Sequence, residues 1–97
     1  MSLTFEWDPE KSEINLKKHK VSFEEATTVF ADPLSLTISD PLHSIGEQRF
    51  VITGKSYHGR ALVVIHTERG DNIRIISARL VTSKEKAIYE KKDPQIQ

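Results

Sequence analysis

The chain has 97 residues, 37% of them hydrophobic and 29% charged, which suits one small folded domain and excludes a disordered chain. It has no Cys, so disulfides and thiolate metal sites are excluded and a reducing cytoplasm is expected. Fourteen acids balance fourteen Lys and Arg residues, and no apolar run approaches the roughly eighteen residues of a membrane span. No basic-then-apolar start marks a signal peptide.

Taken in order, Leu3 to Trp7 is a short extended lead-in. Asp8-Pro9-Glu10 opens a helix reaching Lys18 or His19: Asp caps, Pro suits the first helical position, and Glu favours the positive helix end. Val21-Ser22-Phe23-Glu24-Glu25-Ala26 has the form of a capping box, with Ser22 as cap, Glu25 reaching back and Val21 stapled onto Ala26. Phe23, Ala26, Val29 and Phe30 form the apolar stripe of this second helix, which Asp32-Pro33 stops. Leu34 to Ile38 alternates at period two and reads as a strand. Ser39 to Gly46 is a loop, and Glu47 to Lys55 is a second strand. After a turn at Ser56 to Gly59, Arg60 to Arg79 reads as a β-hairpin whose two apolar runs flank Arg69-Gly70-Asp71-Asn72. Thr82 to Glu90 is a final helix, and residues 91–97 read as a frayed tail. The order predicts a single α+β domain over residues 1–97: two N-terminal helices, a four-stranded antiparallel sheet and a C-terminal helix.

With Gly70 and Asp71 in the hairpin turn, Glu68 pairs with Ile73, His66 with Ile75, Val64 with Ser77 and Leu62 with Arg79. Strict alternation then places Val63, Ile65, Ile76 and Ala78 on a core face, joined by Phe50 and Ile52. The other face gathers His66, Glu68, Ser77 and Arg79, joined by Arg49 and Thr53. A His near neutral pKa can move protons, and two Arg beside it can hold a phosphate and offset charge as it develops. His66, Arg79 and Arg49 are therefore the catalytic candidates for RNA cleavage, in which a 2′-hydroxyl attacks its own phosphate with no metal required. A lone strand His is more often packed than catalytic.

Other polar residues carry less. His19 ends a helix, where a cation favours the dipole; His43 and His58 lie in loops. No metal-ligand spacing, phosphate-binding glycine loop or nucleophile elbow is present. Trp7 and Tyr89 are able to stack on RNA bases, though Trp7 beside a helix cap reads first as core. Residues 1–48 hold nine acids and four bases, and residues 49–97 hold ten bases and five acids. This split suggests an anionic partner for the second half. Mutual neutralisation of acids on helices and bases on strands in the fold is the equal alternative.

Phe5-Glu6-Trp7-Asp8-Pro9, Lys11, Asn15, Lys18-His19, Val21 to Ala26, Asp32-Pro33, Glu47-x-Arg49, Arg74 to Arg79, Glu85 and Tyr89 together resemble the BrnT toxins of bacterial type II toxin–antitoxin systems. The likeness runs from Phe5 to Glu90. It implies a RelE-like fold and a small cytoplasmic ribonuclease that blocks translation without a cofactor. It also implies a cognate BrnA-type antitoxin, through which the toxin reaches operator DNA, and no membrane partner. Toxins of this group spread their chemistry variably over sheet and last helix, and the residues here able to fill such roles are Arg49, His66, Arg79 and Tyr89, with Lys18 and Lys55 as phosphate-binding candidates and Tyr89 as a stacking or orienting group. A non-catalytic relative that pairs with an antitoxin and co-regulates transcription is the alternative.

Overall fold

A computed structural model describes residues 3–40, 44 and 46–91. The chain opens with strand β1 (Thr4–Glu6), then helices α1 (Pro9–His19) and α2 (Phe23–Thr28), the latter running into a single 3-10 turn at Val29–Ala31. Strands β2 (Leu36–Ser39), β3 (Arg49–Lys55), β4 (Ala61–Arg69) and β5 (Asn72–Leu80) follow, then helix α3 (Ser83–Lys91). Of the tail expected at 91–97, Lys91 closes α3 and the rest lies outside the described residues, as does His43 with half of its loop.

The sheet has five strands in the order β1-β5-β4-β3-β2, which corrects the expected four antiparallel strands led by two helices. The lead-in segment is itself an edge strand and pairs in parallel with β5, Thr4 with Asn72 and Glu6 with Arg74. Its three residues are too short to show a period-two pattern, so only the pairing identifies it. The Glu6 carboxylate accepts from the Arg74 guanidinium at 2.8 Å and the Asn72 amide at 3.1 Å, tying the two strands side by side.

The helices begin as their sequences dictate. The Asp8 side chain accepts from the Glu10 N–H at 2.9 Å, with Pro9 at the first helical position. Ser22 accepts from the Glu25 N–H at 3.0 Å. The second half of the capping box is a correction: the Glu25 carboxylate binds Arg60 and Ser56 instead of reaching back. An Arg guanidinium offers a charge-assisted, two-pronged bond that a neutral backbone N–H cannot match.

One face of the sheet packs on α1 and α2. Val21, Phe23, Ala26 and Val29 from the helices meet Ile52, Leu62, Val64, Ile75 and Ala78, with Phe5, Trp7, Phe30 and Ile73 around them. Trp7 packs edge-on to Phe23, with ring centroids 6.1 Å apart, in agreement with the core reading of that residue. Gly54 sits where this layer is tightest. A Cβ there would lie 2.9 Å from Asp32 Oδ2, 3.0 Å from Ser35 Cβ and 3.1 Å from Val29 Cγ1.

α1 takes over the edge of β5 where β1 ends. The Asn15 amide donates to the Ala78 carbonyl at 2.8 Å and accepts from the Ala78 N–H at 3.1 Å. It also donates to the Val21 carbonyl at 2.9 Å, so one buried side chain fixes both the helix exit and the strand edge.

Candidate functional site

The hairpin turn falls at Gly70 and Asp71, and the pairs Glu68–Ile73 and His66–Ile75 form as the sequence predicts. A β-bulge between Ile65 and His66 then shifts the register: Ile65 pairs with Ser77, Val64 with Ala78, Val63 with Arg79 and Leu62 with Leu80. Ile76 is the extra residue. Because side chains alternate strictly, one inserted residue reverses every face beyond it.

The consequence is a correction to the predicted constellation. His66 lies with Val64, Ala78 and Ile75 on the helix-covered face, while Arg79, Ser77, Val63 and Ile65 lie on the other. Phe50 pairs with His66 and Ile52 with Val64, so these two join the helix side. Arg49 and Thr53 do share a face with Ser77 and Arg79, as expected. Arg49 and Arg79 stand two strands and four residues apart on it, roughly 16 Å by strand spacing and rise.

His66 is 5% exposed. Its ring stacks on Phe50 at 5.6 Å and meets the edge of Phe30 at 4.8 Å. Neither ring nitrogen has a hydrogen-bond partner among the described residues, and burial pushes the imidazole pKa down to about 4. It is held as a neutral ring within an aromatic cluster.

Arg79 makes two hydrogen bonds to Glu85 of α3, at 2.7 and 2.8 Å. That guanidinium pulls the Glu85 carboxyl down to about 2. Further along α3, Tyr89 is 4% exposed and its hydroxyl donates to Asp32 at 2.5 Å. Burial alone would raise the Asp32 pKa, but the Tyr89 hydroxyl and the Lys55 and Leu34 N–H groups outweigh it and hold the carboxyl below its usual range. α3 is thus anchored at one end to β5 and at the other beside the end of β3.

Between α3 and the β3–β4 turn lies a cleft of about 540 Å³, lined by Lys55, Arg60, Leu80, Lys86, Tyr89 and Glu90 among others. Two residues singled out from sequence, Lys55 and Tyr89, meet here. Lys86 joins them from the basic run Lys84/Lys86/Lys91/Lys92, whose spacing suits phosphate tracking and a solvated face equally, while Arg60 and Glu90 carry no such sequence signal. Arg60 is held from behind: Glu25, buried on α2, accepts from its guanidinium and from the Ser56 hydroxyl at 2.7 Å. Arg60 also donates to the Lys20 carbonyl at 3.0 Å. The guanidinium in turn lowers the Glu25 pKa.

Lys18 lies elsewhere. It lines a smaller groove of about 210 Å³ between α1 and β5, with Lys11, Ile14, Asn15, His19, Ile76 and Ser77.

The chain is thus a small α+β domain, its sheet backed by α1 and α2 on one face, with a cation-lined cleft beside α3. The fold is similar to the 1.1 Å crystal structure of the Brucella abortus ribonuclease toxin BrnT, with a TM-score of 0.62 at 19% identity, covering 84% of this chain and 100% of that one. The family model described as "Ribonuclease toxin, BrnT, of type II toxin-antitoxin system" matches residues 7–85. The chain belongs to this BrnT family of ribonuclease toxins. No curated protein sequence matches it. Among the described residues, no helix is long and apolar enough to cross a membrane.

Proposed function

We propose that this chain is a metal-independent endoribonuclease that inhibits translation in the cytoplasm, and that the α3 cleft is where RNA is cut. The observation that supports this site is the convergence of Lys55, Arg60 and Lys86 with the Glu90 carboxylate around one cleft. The cations hold the scissile phosphate and offset charge on its oxygens. Glu90 takes the proton of the 2′-hydroxyl as that oxygen bonds to phosphorus. The bond from phosphorus to the 5′-oxygen breaks, and Lys86, 3.8 Å from Glu90, gives the leaving oxygen its proton. The products are a 2′,3′-cyclic phosphate and a 5′-hydroxyl.

In this reading Arg79 is a positioning residue that holds α3 through Glu85. Tyr89 orients the helix through Asp32, and Arg49 contacts the RNA strand on the open face. His66 supports the sheet and moves no proton. The toxin class implies an antitoxin partner; the proposal takes it to be a BrnA-type protein that covers the cleft and carries the complex to operator DNA.

A non-catalytic reading has one observation in its favour: Arg60 and Lys86 are each already paired with a carboxylate, Glu25 and Glu90. The test is purified chain with labelled RNA in excess chelator, against Lys55→Ala/Lys86→Ala and Glu90→Gln. Cyclic-phosphate ends with the parent, and a loss on the order of 100-fold in Glu90→Gln, support the cleft. A folded parent that binds antitoxin and leaves RNA intact supports the non-catalytic reading.

A further inference from the structure

The ion pairs redistribute the charge that the sequence shows. Arg60 is paired with Glu25, Arg69 with Glu47, Arg74 with Glu6, Arg79 with Glu85 and Lys86 with Glu90. Five of the ten bases of the second half are therefore paired in the fold, three of them with acids of the first half. Lys11, Lys17, Lys18 and Lys20 form no ion pair among the described residues, and all four stand on α1 or at its C-terminal cap. A cluster of unpaired positive charge thus stands on α1, in the acid-rich half of the sequence.

Two of these lysines flank a built concavity. Lys11 and Lys18 are seven residues apart, two helical turns, and so project from one face of α1. Both line the groove against β5, with His19 and the Ser77 side. Its position is rigid, because Asn15, between them, is clamped to both backbone groups of Ala78. Ile14, 56% exposed, and Ile76 give the groove an apolar wall beside the two ammonium groups. Two cations spaced along an axis, a serine and a histidine in the same lining, and an apolar wall suit an extended anion with flat apolar units. A single-stranded nucleic acid has that chemistry.

We infer that the groove between α1 and β5 binds the phosphodiester backbone of single-stranded RNA, with Lys11 and Lys18 each contacting a phosphate. This rests on RNA as the substrate, and it adds a contact surface distinct from the cleft. Ser77 lines the groove and Leu80 the cleft. Three residues of β5 separate them, roughly 10 Å along the strand. The two surfaces are thus neighbours along β5, within the reach of one RNA strand that wraps its edge.

The test measures binding, not cleavage. A 2′-O-methyl RNA oligonucleotide cannot be cut by 2′-hydroxyl attack, so its affinity for the full chain is read across a salt series. Two lost phosphate contacts on a single strand reduce the slope of log K against log salt by about 1.4. That reduction in Lys11→Ala/Lys18→Ala, with several-fold weaker binding at low salt and an unchanged slope in Lys84→Ala, is the expected result. Ala favours helix, and a melting curve confirms that the variant is folded. An unchanged slope in the double variant overturns the inference. So does a loss confined to antitoxin binding or to duplex DNA, which would assign the groove to those partners. Absence of cleavage by the parent in the chelator assay would bear on the cleft and leave this readout intact.

Discussion

The carboxamide of Asn15 closes on both backbone groups of Ala78, 63 residues away, with hydrogen bonds of 2.8 and 3.1 Å. The contact does what a sixth strand would do: it satisfies a buried stretch of sheet edge that β1 is too short to reach. Asn15→Ala leaves the Ala78 N–H and the Ala78 and Val21 carbonyls without their partners in a buried site. The expected loss is about 3 kcal/mol, read as a lower denaturant midpoint with an unchanged m-value. A loss under about 0.5 kcal/mol would show that solvent replaces the amide.

His66 predicts an acid-side weakness. Its folded pKa is about 4 against an ordinary 6.5, so between these values the unfolded chain binds a proton that the folded chain refuses. Stability is full above pH 6.5 and falls as the pH drops towards 4, by up to about 3 kcal/mol. His66→Leu should flatten that window in a series of denaturation curves. A slope equal to that of the parent would move the weakness to another group.

Glu85 acts lower on the pH scale, and its sign is that of a depressed carboxyl. Its stabilising pair with Arg79 is complete above the ordinary carboxylate pKa of 4.5 and is lost as the pH falls towards 2. Both side chains are about a third or more exposed, so solvent screens the pair and its contribution is small. Its effect is local: Glu85→Gln should raise amide exchange in α3 at pH 7 while leaving β4 and β5 protected. Uniform exchange rates in parent and variant would mean that Tyr89 alone holds the helix.

Gly54→Ala should destabilise the fold by about 1–3 kcal/mol through overpacking. Its new methyl meets Asp32, Ser35 and Val29 at 2.9 to 3.1 Å. The Asp32 carboxylate that it displaces also holds Tyr89 and the Lys55 N–H, so the variant should loosen α3 as well. Thermal melting together with amide exchange in α3 checks both effects.

Local chemistry made much of this protein legible in its sequence. Asp8-Pro9 and Ser22 begin helices through bonds spanning two or three residues. Gly70-Asp71 sets a turn, and the register holds as far as His66. Those features depend on neighbours in the chain, and so did the family resemblance. What only the tertiary structure decided came from distant contacts. The single extra residue in β5 turned Arg79 and His66 onto opposite faces, because a period of two has no tolerance for an odd insertion. Lys55, Arg60, Lys86 and Tyr89 met in one cleft because α3 is anchored at both ends, to Arg79 and to Asp32. Acids of the first half found Arg60, Arg69 and Arg74 of the second while the lysines of α1 stayed unpaired among the described residues, a distribution that no linear charge count contains.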